Sequence, residues 1–244
     1  RVRFTVPSQT GNAPGTPPSY KPCTPGAPRT GRTPIMDWTS YDPAGSFDEL
    51  IDAGRPRPEL GGFSRFLRDL ALDRLCERQL AAELAIRAMG ITFTVYQESG
   101  NIDRAWPFDV LPRVITSQEW DRVSAGLEQR LHALNLFLDD VYNDQRILRA
   151  GVVPRDLIEE SPNWRPECCG VRPRFGVWAH ISGSDLVRDA DGTFYVLEDN
   201  LRVPSGVSYM LENRLLTKRV FSEVFRDLDI HPVDGYCPAL YDLL

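Results

Sequence analysis

Lysine is almost missing from this chain: only Lys21 and Lys218 occur among 28 basic residues in 244. Histidine is nearly as scarce, at His132, His180 and His231, and the three are scattered. There is no run of 18 apolar residues, so no transmembrane helix is expected. No charged-then-apolar N-terminal pattern reads as a secretory signal, and a reducing cytoplasm is the expected location. The five cysteines are an odd number without regular spacing, which argues against a disulfide framework. Cys168 and Cys169 are adjacent and lack the second spaced pair that structural zinc uses. Net charge is −6, and residues 1–35 carry five basic groups and no acid, so the body is more acidic than the total. An acidic body does not point to nucleic-acid binding.

What is present divides into three regions. Residues 1–35 contain eight prolines with Gly, Thr and Ser and no apolar periodicity, and are expected to be disordered; Met36 reads as the natural start. Residues 36–160 read as a helical and α/β region, and 161–244 as a second region built around a hairpin. A long helix is expected over Phe63–Met89 and a strand over Ile91–Tyr96, before an extended segment broken by Pro107 and Pro112. A further helix starts at Thr116, with Glu119 completing a capping box, and runs to about Tyr142. A short helix follows Pro154. Strands are expected at Phe175–Ile181, Ser184–Arg188 and Thr193–Glu198, and a final helix from about Ser205 to Leu228. Asp139 and Asp140 read as solvent-facing, Arg188 as a surface ion pair with Asp189 or Asp191, and His180 as a core or supporting residue. Lys218 reads as part of a solvated helix face.

The hairpin DLVRDADGTFYVLEDN turns at Asp-Ala-Asp-Gly, residues 189–192. Side chains alternate along a strand, so Glu198 and Asn200 share one face and Asp199 takes the other. Asp185 and Glu198 lie seven residues before and six after Gly192, which makes them near neighbours across the strands. Two carboxylates side by side repel unless a cation lies between them. Mg²⁺ takes a few such hard oxygens and leaves its other positions to water and phosphate. On hairpin spacing alone, a polar strand end with Asp185 capping a turn is the reading to prefer. Arg202, Gly206 and a helix opening near Ser205 add a cation and an anion-friendly helix start within the same stretch. That combination suits phosphoryl transfer.

Strand, turn and strand followed by LEDNLR resemble the magnesium-binding end of the ATP-grasp fold. That family places an acid on one strand, Glu-x-Asn on the next and Arg two residues later; Asp185, Glu198, Asn200 and Arg202 occupy those positions. The longer run GVRPRFGVWAHISGSDLVRDADGTFYVLEDNLRVPSGVSYMLENR resembles the circularly permuted, type 2 ATP-grasp proteins, similar to glutathionylspermidine synthase. GITFTVY, PFDVLPRVI and QRLHALNLFLDDVY resemble the upstream part of that family. The resemblance implies an α/β (α+β) ATP-grasp-like fold, with a mixed or antiparallel sheet, flanking helices and an incomplete second lobe. It implies ATP-dependent joining of a small-molecule or peptide carboxylate to an amine through an acyl phosphate, with Mg²⁺ and ATP. Asp185, Glu198 and Asn200 would hold the metal and Arg202 would stabilise the transferring phosphoryl group. Ser205, Gly206 and Ser208 would shape the acceptor pocket.

The family usually holds phosphates with lysines, and neither lysine here is a candidate. The expectation is therefore a magnesium-site portion of a ligase, inactive by itself, needing a C-terminal lobe or a protein partner. A helix stripe over 209–228 would then stand exposed, and Arg214 is a further candidate for the anion site. A non-catalytic binding or scaffold module that keeps the fold is the alternative. A metal-dependent nuclease or phosphatase is weakest, given the acidic body and few histidines.

Overall fold

A computed structural model describes residues 38–70, 72–95 and 102–243, without the side chains of 93–95 and 102–105. The Pro-rich stretch 1–35 and Lys21 lie outside the described residues. The chain forms two compact units that interleave along the sequence. The first takes residues 1–117, 189–192 and 206–244, the second 118–188 and 193–205. The boundary expected between residues 160 and 161 falls inside the second unit.

The first unit opens with the short strands β1 (Ile51–Asp52) and β2 (Arg55–Pro56). The helices α1 (Gly61–Asp69) and α2 (Leu72–Met89) replace the single helix expected from periodicity. The break falls at Leu70, whose backbone is extended (φ −82°, ψ 120°) while its N–H still caps α1 on Phe66 and Leu67. Strands β3 (Thr92–Val95) and β4 (Ile102–Ala105) pair antiparallel. The expected final helix is also two: α6 (Val207–Val220) and α7 (Ser222–Asp227), followed by α8 (Tyr236–Leu243), which the sequence reading did not foresee. The α6–α7 break falls at Phe221 (φ −127°, ψ 49°), and its ring packs edge-on against Phe63 and Phe66.

Leu60, Phe63, Leu67, Leu75, Val110, Val114, Phe221 and Val224 form a core, with Val220 and Leu228 packed on it. Within the 209–228 stripe Leu216, Phe221 and Val224 are buried while Leu215 stays exposed, so the expectation of an exposed face holds only in part. Burial of this kind contributes about 1.5–3 kcal/mol per large side chain. Arg214 is also turned inward: it is buried, its Nη1 donates to His231 O at 2.6 Å, and its guanidinium lies over Phe225. It serves this core and not an anion site. Lys218 sits exposed with its ammonium 5.9 Å from the Phe225 ring centre, in keeping with a helix face.

Gln79, buried on α2, staples that helix to the segment leading out of β4. Its Nε2 donates to Phe108 O at 2.8 Å and its Oε1 accepts from Val110 N at 2.9 Å. Leucine at this position leaves the half-buried Phe108 carbonyl and the buried Val110 N–H unmet. Gln79→Leu should therefore cost about 2–3 kcal/mol, read as a lower urea midpoint at unchanged slope. A midpoint equal to wild type would contradict this account of the staple.

The second unit is built along α3 (Ser117–Tyr142), a helix about 39 Å long. Two short helices follow, α4 (Arg146–Arg149) and α5 (Arg155–Glu159), then the hairpin strands β5 (Gly183–Arg188) and β6 (Phe194–Asn200). The C-terminal part of α3 organises the loop between α5 and β5. Tyr142 is stacked between Trp164 (4.7 Å) and Trp178 (5.0 Å). Asn135 Oδ1 accepts from the N–H groups of Trp178 and Ala179 at 2.7 and 3.0 Å. These two donors are therefore taken by a side chain, and no ladder forms over Phe175–Ile181 where a strand was expected; Arg174–Gly176 is a 3-10 turn with Phe175 at φ 61°. Asp139 and Asp140 are likewise not idle solvent groups. Asp139 accepts from Trp178 Nε1, and Asp140 accepts from the N–H groups of Arg146 and Ile147 at the start of α4. Those contacts, the Ile147 N–H first, hold Asp140 below the usual carboxylate range.

The described elements make a mixed α/β protein of helices with small antiparallel sheets, as expected from the sequence. No helix among the described residues is long and apolar enough to cross a membrane.

Candidate functional site

The hairpin register sets the geometry. Gly183 pairs with Asn200, Ser184 with Asp199, and Asp185 with Glu198. Between Asp185 and Leu186 the register shifts: Leu186 pairs with Val196, so Leu197 is the extra residue of a bulge. A bulge adds local twist and re-aims the side chains beside it. Here it lies directly against the Asp185–Glu198 pair.

Asp185, Glu198 and Asn200 are brought together. Asp185 and Glu198 are cross-strand partners, and Asn200 Nδ2 donates to Glu198 Oε1 at 3.2 Å. Opposite Asn200 stands Gly183, where an added Cβ would lie 3.2 Å from the Pro204 ring. Burial, then the charge of Glu198 and a hydrogen bond to it, raise the Asp185 carboxyl above its ordinary range. Two acids and an amide oxygen are hard donors of the type Mg²⁺ accepts, and the raised carboxyl is the mark of a pair that a cation would relieve. Among the described residues no group of three or more His, Cys, Asp or Glu side chains is placed to hold a metal, Cys168 and Cys169 included. The hairpin set has two carboxylates, with the amide as its third oxygen donor.

Asp199 points to the opposite face, as alternation requires. Its Oδ2 accepts from Arg130 Nε at 2.7 Å and its Oδ1 from Ser184 Oγ at 2.7 Å. Arg188, at the turn end of β5, pairs with Glu119 of α3 and lies over the Phe194 ring, and its side chain is only 4% exposed, so it is not the surface group expected. Neither α3 partner was legible, because each lies 69 residues away in sequence.

Past β6 the chain runs through Arg202, which is exposed, and Val203, a β-branched residue at φ 47°. Left-handed backbone is rare for such a side chain and costs about 1–2 kcal/mol. Ser205 ends the second unit; Gly206 and Ser208 belong to the first, where Gly206 precedes α6 without a side-chain cap. His180 is exposed, which removes the expectation of a core role.

Residues 112–244 match the family model described as circularly permuted ATP-grasp type 2. The chain belongs to this family. As a type 2 permuted ATP-grasp protein it is 43% identical over 210 residues to an uncharacterised protein of Synechocystis, covering 86% of this chain and 44% of that one. It is 43% identical over 199 residues to an uncharacterised protein of Mycobacterium leprae, covering 80% and 34%. A Frankia casuarinae protein, provisionally named glutamate–cysteine ligase 2-2, is 37% identical over 205 residues, covering 84% and 23%. The chain thus spans less than half the length of these curated relatives.

Proposed function

We propose that this chain is the magnesium-holding portion of an ATP-dependent ligase that joins a carboxylate to an amine. The observation that carries the reading is the registered Asp185–Glu198 pair with Asn200 beside it, in a chain of this family. A Mg²⁺ ion held there supplies charge neutralisation to the phosphates of ATP. Asp185 and Glu198 bind it through carboxylate oxygens and Asn200 through its amide oxygen. Arg202, exposed just beyond β6, meets the transferring phosphoryl group, and Ser205, Gly206 and Ser208 contribute to the acceptor side.

In the overall reaction a substrate carboxylate oxygen attacks the terminal phosphorus of ATP, and ADP leaves. The amine then attacks the acyl carbon, loses a proton, and expels phosphate to leave an amide. A name given to the Frankia protein makes glutamate a first carboxylate to test. Lys218, the lysine among the described residues, stands on an exposed helix face with its ammonium 5.9 Å from the Phe225 ring centre.

Glutamate labelled with ¹⁸O in its carboxylates tests the reaction class. With Mg²⁺, ATP and an amine, the longer Synechocystis relative should transfer ¹⁸O to inorganic phosphate, whereas the present chain should bind Mg²⁺-ATP without ligating. Transfer that never exceeds background with any carboxylate tried, alongside intact Mg²⁺-ATP binding, would favour a binding module instead.

A further inference from the structure

Helix α3 grips the hairpin at two points. Glu119 holds Arg188 near the turn, and Arg130 holds Asp199 at the far end. The two helix residues are eleven apart, which is three turns with about 20° left over and a span of about 16 Å. On β5, Arg188 and Ser184, the partner of Asp199, are four residues apart, about 13 Å, with Leu197 the extra residue on β6. A slip of the hairpin along the helix would break both clamps.

The two clamps differ in what they flank. Asp199 lies between Glu198 and Asn200 on β6, and its cross-strand partner Ser184 precedes Asp185 on β5. Both oxygens of the Asp199 carboxylate are used, one by Arg130 and one by Ser184 Oγ, and its side chain is only 8% exposed. One guanidinium contact thus fixes the residue that joins Glu198 to Asn200 along β6 and that holds, through Ser184 Oγ, the residue before Asp185. Because a bulge follows at Leu197, register in this stretch is not held by regular pairing on both sides.

We propose that Arg130 is a positioning residue for the metal site, acting through Asp199 and Ser184 to hold Asp185, Glu198 and Asn200 in one geometry. This rests on the reading of those three residues as the cation site. Arg130 touches neither the cation nor a substrate in this account.

Mn²⁺, followed by the electron paramagnetic resonance of the free ion, probes the site on the 244-residue chain without any turnover. Asp185→Asn defines the signal of a chain lacking the site. Arg130→Met should weaken Mn²⁺ binding about tenfold, the lower end for residues that support metal ligands, and Arg130→Lys should recover most of the loss. Glu119→Gln, which loosens the turn-end clamp, should lower the melting temperature comparably and leave Mn²⁺ affinity within about twofold of wild type. If Arg130→Met does not fold, Asp199→Asn, isosteric and still able to accept from Ser184, should give the same weakening. Wild-type affinity in Arg130→Met or Asp199→Asn, or an equal loss in Glu119→Gln, would overturn the assignment of Arg130 alone. Wild type binding no tighter than Asp185→Asn would remove the site itself, and the role of Arg130 with it.

Discussion

Asp185→Asn is expected to raise the melting temperature of the cation-free chain while abolishing its stabilisation by Mg²⁺. The two carboxylates are cross-strand partners, and like charges directly opposite cost on the order of 0.5–1 kcal/mol. The Asp185 carboxyl is raised by burial first and then by Glu198. The folded chain therefore keeps this proton at a pH where the unfolded chain has released it. Stability from this group falls as pH rises through that window, so at neutral pH the charged pair is a net cost. Asparagine removes one charge and can still donate to Glu198. The gain should be about 1–3 °C for a protein of this size. With Mg²⁺ at ten times its Kd, wild type gains about 1.4 kcal/mol by mass action. The variant should gain none, so the order of the two melting temperatures reverses as Mg²⁺ is added. Parallel Mg²⁺ dependence in both proteins would sink the ligand assignment. A variant less stable than wild type without cation would sink the repulsion argument.

The second large effect lies in the other unit. Arg78 of α2 donates to Glu223 Oε1 at 2.7 Å and to Val220 O, and lies over the rings of Phe221 and Phe66. One guanidinium thereby ties α2 to both sides of the α6–α7 break, at the point where Phe221 enters the core. Arg78→Met should cost about 2–3 kcal/mol through the unpaired carboxylate, the lost bond to Val220 O and the lost ring contact. The hydrogen bond from Arg78 holds Glu223 down to about 2, from an ordinary 4.5. A depressed acid stabilises the fold above its unfolded pKa and loses that contribution as pH falls toward its folded one. The window is therefore about pH 4.5 to 2. Because the Glu223 side chain is 38% exposed, solvent screening reduces this share to on the order of 1 kcal/mol. The stability gap between wild type and Arg78→Met, measured by urea melts, should narrow as pH is lowered through that window. A gap that stays constant with pH would contradict the pairing.

Where the sequence reading succeeded, the controlling interactions were local. The Asp-Ala-Asp-Gly turn and alternation bring Asp185 near Glu198 and turn Asp199 away, but regular pairing from the turn would set Asp185 against Leu197, and it is the bulge at Leu197 that puts it opposite Glu198. The long helix α3 begins one residue after Thr116 and ends at Tyr142, where apolar spacing put it. The failures share a different cause. Leu70 and Phe221 interrupt helices, and helical periodicity carries no mark of either break. Trp178 and Ala179 looked like strand residues, but Asn135 takes their N–H groups from 43 and 44 residues away. Arg188 with Glu119, and Asp199 with Arg130, each join residues 69 apart in sequence, which no local pattern marks. The Leu197 bulge left no signature either, since bulges do not require a particular residue at every position.

The bulge also changes how the site is understood. Alternation alone would let the acid pair slide with any register slip. With Leu197 looped out, the pair depends on what fixes the strand ends, and that is the Ser184–Asp199–Arg130 chain of contacts.

The most direct measurement is a Mn²⁺ titration of the ¹⁵N-labelled chain, read as paramagnetic broadening of backbone amides. The account predicts that the amides of Asp185, Glu198 and Asn200 broaden first, and that this pattern disappears in Asp185→Asn. Broadening centred on another acidic stretch, such as Asp139–Asp144, or unchanged in Asp185→Asn, would contradict it.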